Sequence, residues 1–406
     1  MTQDPVSESR LGVLDGLRGI AIAMVVWYHL WLITWLSPPD YHVFGFDFTF
    51  AFIPVTGFLG VEVFFFISGF ALFYPYARTM LEGKPPQTLA TYVYRRAIKI
   101  LPSYWLLLAI LAVVVLPWGI WATTLWHLAA HLLFIHTWYH DTYGSIAGVL
   151  WSLGVEVQFY VLFPLIAAAF SRRPFLTYAL LAAISIAYRL TIAQFYRGDF
   201  HFLLNQLPGF LDLFAAGMLA AYLYVLGRAK LDWARRAGPA TLLAIGASLA
   251  VSAMVYHLFV IRYAPDSILD WQARYRTAFG LGLAVLTVSS LFAHRWWQKL
   301  LGNPLLVFLS TVSYNLYLWH QLLMVGLHDH RIPPFATPDA HADAAWKWAF
   351  TALAIPVVIA VAALITYAFE RPFLRRGPRV LVELPRAIGR RLGVSWGERG
   401  EAEALH

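Results

Sequence analysis

Ten separate stretches of this chain are apolar for close to 20 residues each, and that recurrence constrains its fold more than any other feature. They lie near 17–36, 57–76, 101–118, 148–170, 174–192, 209–227, 238–261, 276–294, 304–327 and 346–369. A helix needs about 20 residues to cross a hydrocarbon core, where every backbone polar group must be bonded within its own segment. The expected fold is therefore all-α, a polytopic integral membrane protein of about ten transmembrane helices. The polar intervals are too short to fold alone, so residues 1–376 read as one membrane domain and 377–406 as a basic tail. Composition agrees, with 60% of the 406 residues hydrophobic and only 13% charged. The absence of cysteine excludes disulfides, thiol nucleophiles and thiolate-ligated metals. The polar start MTQDPVSESR, with no small-residue cleavage site after the apolar segment that follows, does not read as a removable signal peptide.

The net charge of +8 is explained by where the charges fall. With a cytoplasmic N-terminus, the inner connections contain Arg78, Lys84, Arg95, Arg96, Lys99, Arg172, Arg173, Arg228, Lys230, Arg235, Arg236, Arg295 and Lys299. Arg10 and Arg18 precede them and a run from Arg371 to Arg399 follows. The first two outer connections, 37–56 and 119–147, contain no Lys or Arg. This is the positive-inside pattern, so the basic surplus requires no nucleic acid. An even number of spans preserves it and places both termini in the cytoplasm. No repeat recurs at a fixed period, and the Gly/Pro interruptions do not match between halves. Any chemistry must come from the membrane helices and their loops.

The segment LDGLRGIAIAMVVWYHL (14–30) carries Arg18 at its start and His29 deep inside. Ionisable residues within a span are costly and mark functional sites. Eleven residues of helix separate them by about 16 Å and by only about 20° around the axis, so they share a face. Arg18 can fork onto phosphate oxygens at the cytoplasmic interface; snorkelling as a topology anchor explains it about as well. Within GVEVFFFISGF (60–70), Glu62 needs a partner, while Ser68 and Gly69 would admit either a neighbouring backbone or a thin ligand arm. YRRAIKILP places Arg95, Arg96 and Lys99 before the third window, in what reads as an inner loop spanning 77–100, suited to a polyphosphate or to plain anchoring. In WSLGVEVQFYVLFPL, Glu156 falls about 12 Å below the outer boundary and His29 about 18 Å above the inner one, matching depths in a core of about 30 Å. A carboxylate at that depth would orient the imidazole as a general base or form a structural ion pair with it. SYNLYLWH (313–320) adds Tyr314 and His320, and FERPF (369–373) ends the tenth window.

Taken in order, LDGLRGIAI with its Arg, ten residues and His, then GVEVFFFISGF, RRAIKILP, WSLGVEVQFY, SYNLYLWH and ERP resemble membrane acyltransferase family 3, the polysaccharide and glycoconjugate O-acyltransferases. Six motifs in the family's order span residues 14–372. Two departures are Lys99 where the family pattern suggests arginine, and the lack of the extra extracytoplasmic domain some members carry. The resemblance implies an integral membrane acyltransferase domain over 1–376 in a bacterial cytoplasmic (inner) membrane. It would move an acyl group, usually acetyl, from cytoplasmic acyl-CoA to a hydroxyl of a carbohydrate, glycolipid or related acceptor on the far side. On that reading Arg18, Arg95, Arg96 and Lys99 bind the CoA phosphates, and His29 is general base or transient acyl carrier with Glu156 as its orienter. Glu62, Ser68, Tyr314 and His320 then line the substrate path, the last two on the outer acceptor side. No metal is expected.

Two rival constellations remain at this stage. His127, His131, His136, His140 and Asp141 sit in an outer loop at spacings a zinc site can use, but without the flanking glutamate of a zinc hydrolase; an interfacial amphipathic segment accounts for them. Intramembrane Arg, His and Glu would also suit a proton-coupled secondary transporter, from which the basic cluster at the inner side distinguishes an enzyme.

Overall fold

The computed structural model describes residues 11–43, 46–114, 125–196, 198, 200–230, 236–335 and 339–376. Over these the apolar windows become ten long helices. They are α1 (Gly12–Thr34), α2 (Gly60–Glu82), α3 (Leu89–Val114), α4 (Trp151–Arg172) and α5 (Pro174–Phe195), then α6 (Leu211–Lys230), α7 (Ala237–Ile261), α8 (Ser267–Phe292), α9 (Pro304–Asp329) and α10 (Ala344–Ile365). Among the described residues, nine helices are long and apolar enough to cross a membrane. The tenth, α9, is 26 residues long but more polar, because Ser310, Ser313, Asn315 and His320 are buried on it between α1 and α10. The only sheet among the described residues is a hairpin, β1 (Asp40–Val43) against β2 (Phe46–Thr49), antiparallel with Tyr41 opposite Phe48. The tail 377–406, with Arg10 and the beginning of the second outer connection, lies outside the described residues.

Two helices begin well before their apolar windows. α3 starts at Leu89 and α8 at Ser267, so Arg95, Arg96, Lys99 and Arg276 are helical, where the sequence alone suggested loop for the first three. Hydropathy marks the part of a helix that meets lipid. In the early turns of α3 and α8, Arg95, Arg96, Lys99 and Arg276 face cavities instead. The connection from α2 to α3 shrinks to a few residues, with Gly83 taking the left-handed conformation (φ 66°) that ends α2. Asn303 caps α9, its Oδ1 accepting from Leu306 N at 3.0 Å, and Asp343 caps α10 in the same way through Trp346 N.

The centre of the bundle is α6. It crosses α2 so closely that a Cβ on Gly69 would lie 2.0 Å from the Phe214 carbonyl oxygen, and one on Gly217 1.9 Å from that of Phe66. Gly69 therefore admits a neighbouring backbone, one of the two uses its size allowed. Around this crossing, aromatic rings fill the space, Phe159 stacking on Phe214 at 3.9 Å and Phe65 on Phe214 at 4.8 Å. A smaller cluster joins α1, α9 and α10 through Ile22, Val26, Val312, Leu316, Phe350 and Ala354. Leu176, Leu180, Leu242, Leu249 and Leu364 on α5, α7 and α10 point outward, as lipid-facing residues do.

Candidate active site

Three adjoining cavities run through the bundle beside α1. The first, about 430 Å³, lies at the end where the basic loops gather and is lined by Asp15, Arg18, Arg78, Lys84, Arg95 and Arg96. The second, about 310 Å³, shares Arg18 and Arg96 with it and adds Ser68, Lys99, Glu156, Tyr160 and Tyr314. The third, about 340 Å³, shares Val61 and Tyr317 with the second and contains His29, Glu62, Arg276, Gln272 and Gln321. Arg18 and His29 thus open onto the same series of cavities, at different points along it.

His29 is held by backbone and by another histidine. His320 lies within 2.9 Å of the Leu316 and Tyr317 carbonyl oxygens through Nδ1, which must therefore carry the proton, leaving Nε2 as an acceptor. That Nε2 is 3.1 Å from His29 Nδ1, which also lies 2.9 Å from the Val25 carbonyl. His29 Nδ1–H therefore donates to both, and the neutral ring carries its lone pair on Nε2. No partner for Nε2 exists among the described residues, and the residue lines the third cavity. The arrangement fixes tautomer and ring orientation, as a histidine acting as a base requires. Tyr317, one turn before His320, bonds the Val149 carbonyl at 2.9 Å and Ser152 at 2.6 Å, tying α9 to the start of α4.

Glu156 does not meet His29. It lines the second cavity, where it accepts hydrogen bonds from Ser68 Oγ and, at 2.6 Å, from Tyr160 OH, within electrostatic reach of Arg18. The matching depth inferred from the sequence does not bring the two together, because the residues of α4 level with His29 come before Glu156. Gly148, Val149 and Trp151 already line the cavity of His29, and Glu156 lies about 7 Å further in. The loop before α4 folds back into the bundle. Thr137 Oγ1 accepts from Gln158 Nε2 at 2.7 Å, the Thr137 carbonyl accepts from Gln206 Nε2 at 2.7 Å, and Gly154 leaves room for the His136 ring. Such irregular backbone is tolerated at depth only where protein supplies its partners.

The proposed phosphate ligands divide. Arg18, Arg95 and Arg96 line the basic cavity, whereas Lys99 lines the second. Lys99 is ion-paired to Glu370, which also accepts from Asn315 Nδ2 at 2.5 Å. Its charge is neutralised, so it locks α3 against the turn Thr366–Glu370 that follows α10, and the arginine-to-lysine departure loses its significance for phosphate. Arg18, Lys84, Arg95 and Arg96 have no carboxylate partner among the described residues, while Arg78 pairs with Glu82 at 3.0 Å. Arg78 and Lys84 belong to this cavity and were passed over as ordinary inner-loop charges. Tyr314 donates to the Ile100 carbonyl at 2.8 Å and sits in the second cavity, not on an outer acceptor side. His320 is fully buried behind His29.

Glu62 finds its partner in Arg276, whose Nε donates to it at 3.0 Å. Next to this pair, Arg189 Nη2 donates to Asp212 at 2.8 Å and to Thr277 at 2.7 Å. Arg189, Asp212 and Arg276 were not singled out from the sequence, although each is a charge inside or beside an apolar window, the signal that picked out His29. The outer-loop histidines form no group of three metal-ligating side chains among the described residues. His131 and His136 stack at 4.1 Å, Nδ1 of His131 donating to the His127 carbonyl and Nε2 of His136 to that of Leu150. Burial pushes His131 down to about 3, with His136 adding to the effect, and His136 down to about 4.

A basic cavity and an oriented imidazole thus lie along one side of α1 inside a helical membrane bundle. The acyltransferase family 3 model, described as an acyltransferase domain, matches residues 11–368, and the chain belongs to this family. It is 24% identical over 401 residues to a protein of Staphylococcus aureus named "Putative O-acetyltransferase", covering 91% of this chain and 58% of that one. It is 27% identical over 334 residues to a "Putative membrane-bound transacylase" of Komagataeibacter xylinus, covering 79% of this chain and 74% of that protein. The chain therefore spans a little under three fifths of the length of the staphylococcal relatives. No solved structure gives a significant match.

Proposed function

We propose that this membrane O-acyltransferase takes its acyl group, usually acetyl, from cytoplasmic acyl-CoA and passes it to a hydroxyl of a carbohydrate or glycoconjugate at the extracytoplasmic side of a bacterial inner membrane. The observation that carries the reading is the open Nε2 of His29 in the last of three neighbouring cavities, the first of which is basic. Four cations without carboxylate partners among the described residues suit the CoA phosphates, and the second cavity offers a path for the pantetheine arm past Ser68 and Glu156. His29 Nε2 takes the proton of the acceptor hydroxyl as its oxygen attacks the thioester carbonyl. The C–S bond then breaks, and the imidazolium returns the proton to the CoA thiolate. A transient acyl group on His29 would use the same atom. His320 is a positioning residue in both versions. Either version needs a neutral imidazole, so activity falls in acid.

The test is acetyl-CoA-dependent release of free CoA by the purified full chain in lipid nanodiscs, with and without carbohydrate acceptors, set against uptake of the same acceptors into proteoliposomes. CoA release that rises with acceptor is the expected result. Uptake without CoA release would make the protein a transporter and overturn the reading.

A further inference from the structure

The cavity of His29 contains a second polar feature that the transfer step does not use. Glu62, in the first turn of α2, and Arg276, in the first half of α8, both line it, 3% and 1% exposed. Arg276 is held in place: Nε donates to Glu62 Oε1 at 3.0 Å, Nη1 to the Gly209 carbonyl at 3.2 Å, and the guanidinium lies 4.3 Å from the centre of the Phe210 ring. The same Gly209 carbonyl accepts from Arg189 at 2.8 Å, so the pair is braced from behind.

Two hydrogen-bonding positions are left over. Glu62 Oε2 is buried without a partner, and Arg276 Nη2 has none among the described residues. A buried carboxylate oxygen without a donor is a cost that needs a reason. Two hydrogen-bonded side chains thus keep one spare acceptor and one spare donor, a set complementary to two adjacent hydroxyls, one donating to the carboxylate and its neighbour accepting from the guanidinium. A lone hydroxyl satisfies only one of the two.

We propose that Glu62 and Arg276 form an anchor for a vicinal diol, gripping two neighbouring hydroxyls of the acceptor while a third is presented to His29 Nε2. The inference rests on the acyltransferase reading of this cavity and deepens it. The acceptor unit is a small polyol ring bound through a diol next to the hydroxyl that is acylated. The anchor is net neutral, so it selects by hydroxyl arrangement and not by acceptor charge.

The experiment uses the full chain in nanodiscs with radiolabelled acetyl-CoA, following CoA release and label transfer to methyl gluco-, galacto- and mannopyranosides and to their monodeoxy counterparts at each ring position. The expected result is transfer to at least one parent glycoside, with kcat/KM falling about 10- to 100-fold when either member of one vicinal pair is removed, since the site's polar groups are then left unpaired. In the double variant Glu62→Gln, Arg276→Gln, which removes both charges together and strands neither, the KM for the glycoside should rise with that for acetyl-CoA unchanged, and the deoxy penalty should vanish. Transfer indifferent to every single deoxygenation, a double variant as selective as the wild type, or CoA release without transfer to any glycoside would each overturn the anchor. If the double variant does not elute as a monodisperse species, the deoxy series on the wild-type chain decides alone. A complete lack of CoA release would strike the acyltransferase reading and the anchor together.

Discussion

The two end cavities treat charge in opposite ways. In the basic cavity Arg18, Lys84, Arg95 and Arg96 stand without carboxylate partners among the described residues. Around the histidine cavity every arginine is matched, Arg276 with Glu62 and Arg189 with Asp212, all of them buried. Cations gathered round one cavity without ion-pair partners are available to an anion, whereas a fully buried one left without any partner would cost several kcal/mol. The first end is therefore built to bind charge. The other is built to hold neutral groups in fixed orientation, and the largest functional losses are expected there.

His29→Ala should abolish transfer, by at least about a thousandfold, with membrane insertion intact, because it removes the base of the proposed step and its open Nε2. Turnover at the wild-type rate would end the catalytic assignment. His320→Ala should come next, lowering kcat about 10- to 100-fold, the size of effect typical when a histidine loses the group that orients it. The KM for acetyl-CoA should stay constant, and an unchanged kcat would leave Val25 alone to orient His29. At the basic end, Arg18→Ala and Arg96→Ala should each raise the KM for acetyl-CoA about tenfold more than they lower kcat, with a steeper dependence on salt in the wild type than in the variants. A KM that does not move would reduce these arginines to topology anchors.

Glu156→Gln is expected to do less, and in a different way. Because Glu156 bonds Ser68 and Tyr160 and not His29, the acidic limb of the pH–rate profile should stay in place, and the effect should fall on acetyl-CoA KM. Movement of that limb would reinstate contact with His29 during turnover. The smallest effect belongs to the re-entrant loop. His131 and His136 resist protonation when folded, held near 3 and 4, while in an unfolded chain they take protons near 6.5. Above about pH 6.5 both states are neutral and the loop keeps its full stability; as pH falls from there toward 4 the unfolded state binds the extra protons and stability is lost. Proteolysis of the loop should therefore accelerate over that window, and a rate flat between pH 7 and 4.5 would contradict the buried, neutral pair.

The number and order of helices were legible in the sequence because crossing a hydrocarbon core is a transfer energy summed along the chain, and hydropathy reads that sum directly. The placement of Arg18 and His29 on one face followed as directly, since a single helix fixes its own angles and rise. Depth was another matter. The position of Glu156 depended on where α4 begins, and that was set by Thr137, Gln158, Gln206 and Gly154 packing a loop into the bundle. The early turns of α3 and α8 escaped notice because charges that face a cavity lower the mean hydropathy of a helix without breaking it. Pairings lay furthest from view. Glu62 meets Arg276 across 214 positions and His29 meets His320 across 291, and nothing local to either residue selects its partner. Composition and periodicity determined that this chain is a membrane bundle with charges inside it; which charges face each other was decided by how the helices cross, because only there is each buried polar group given, or denied, its partner.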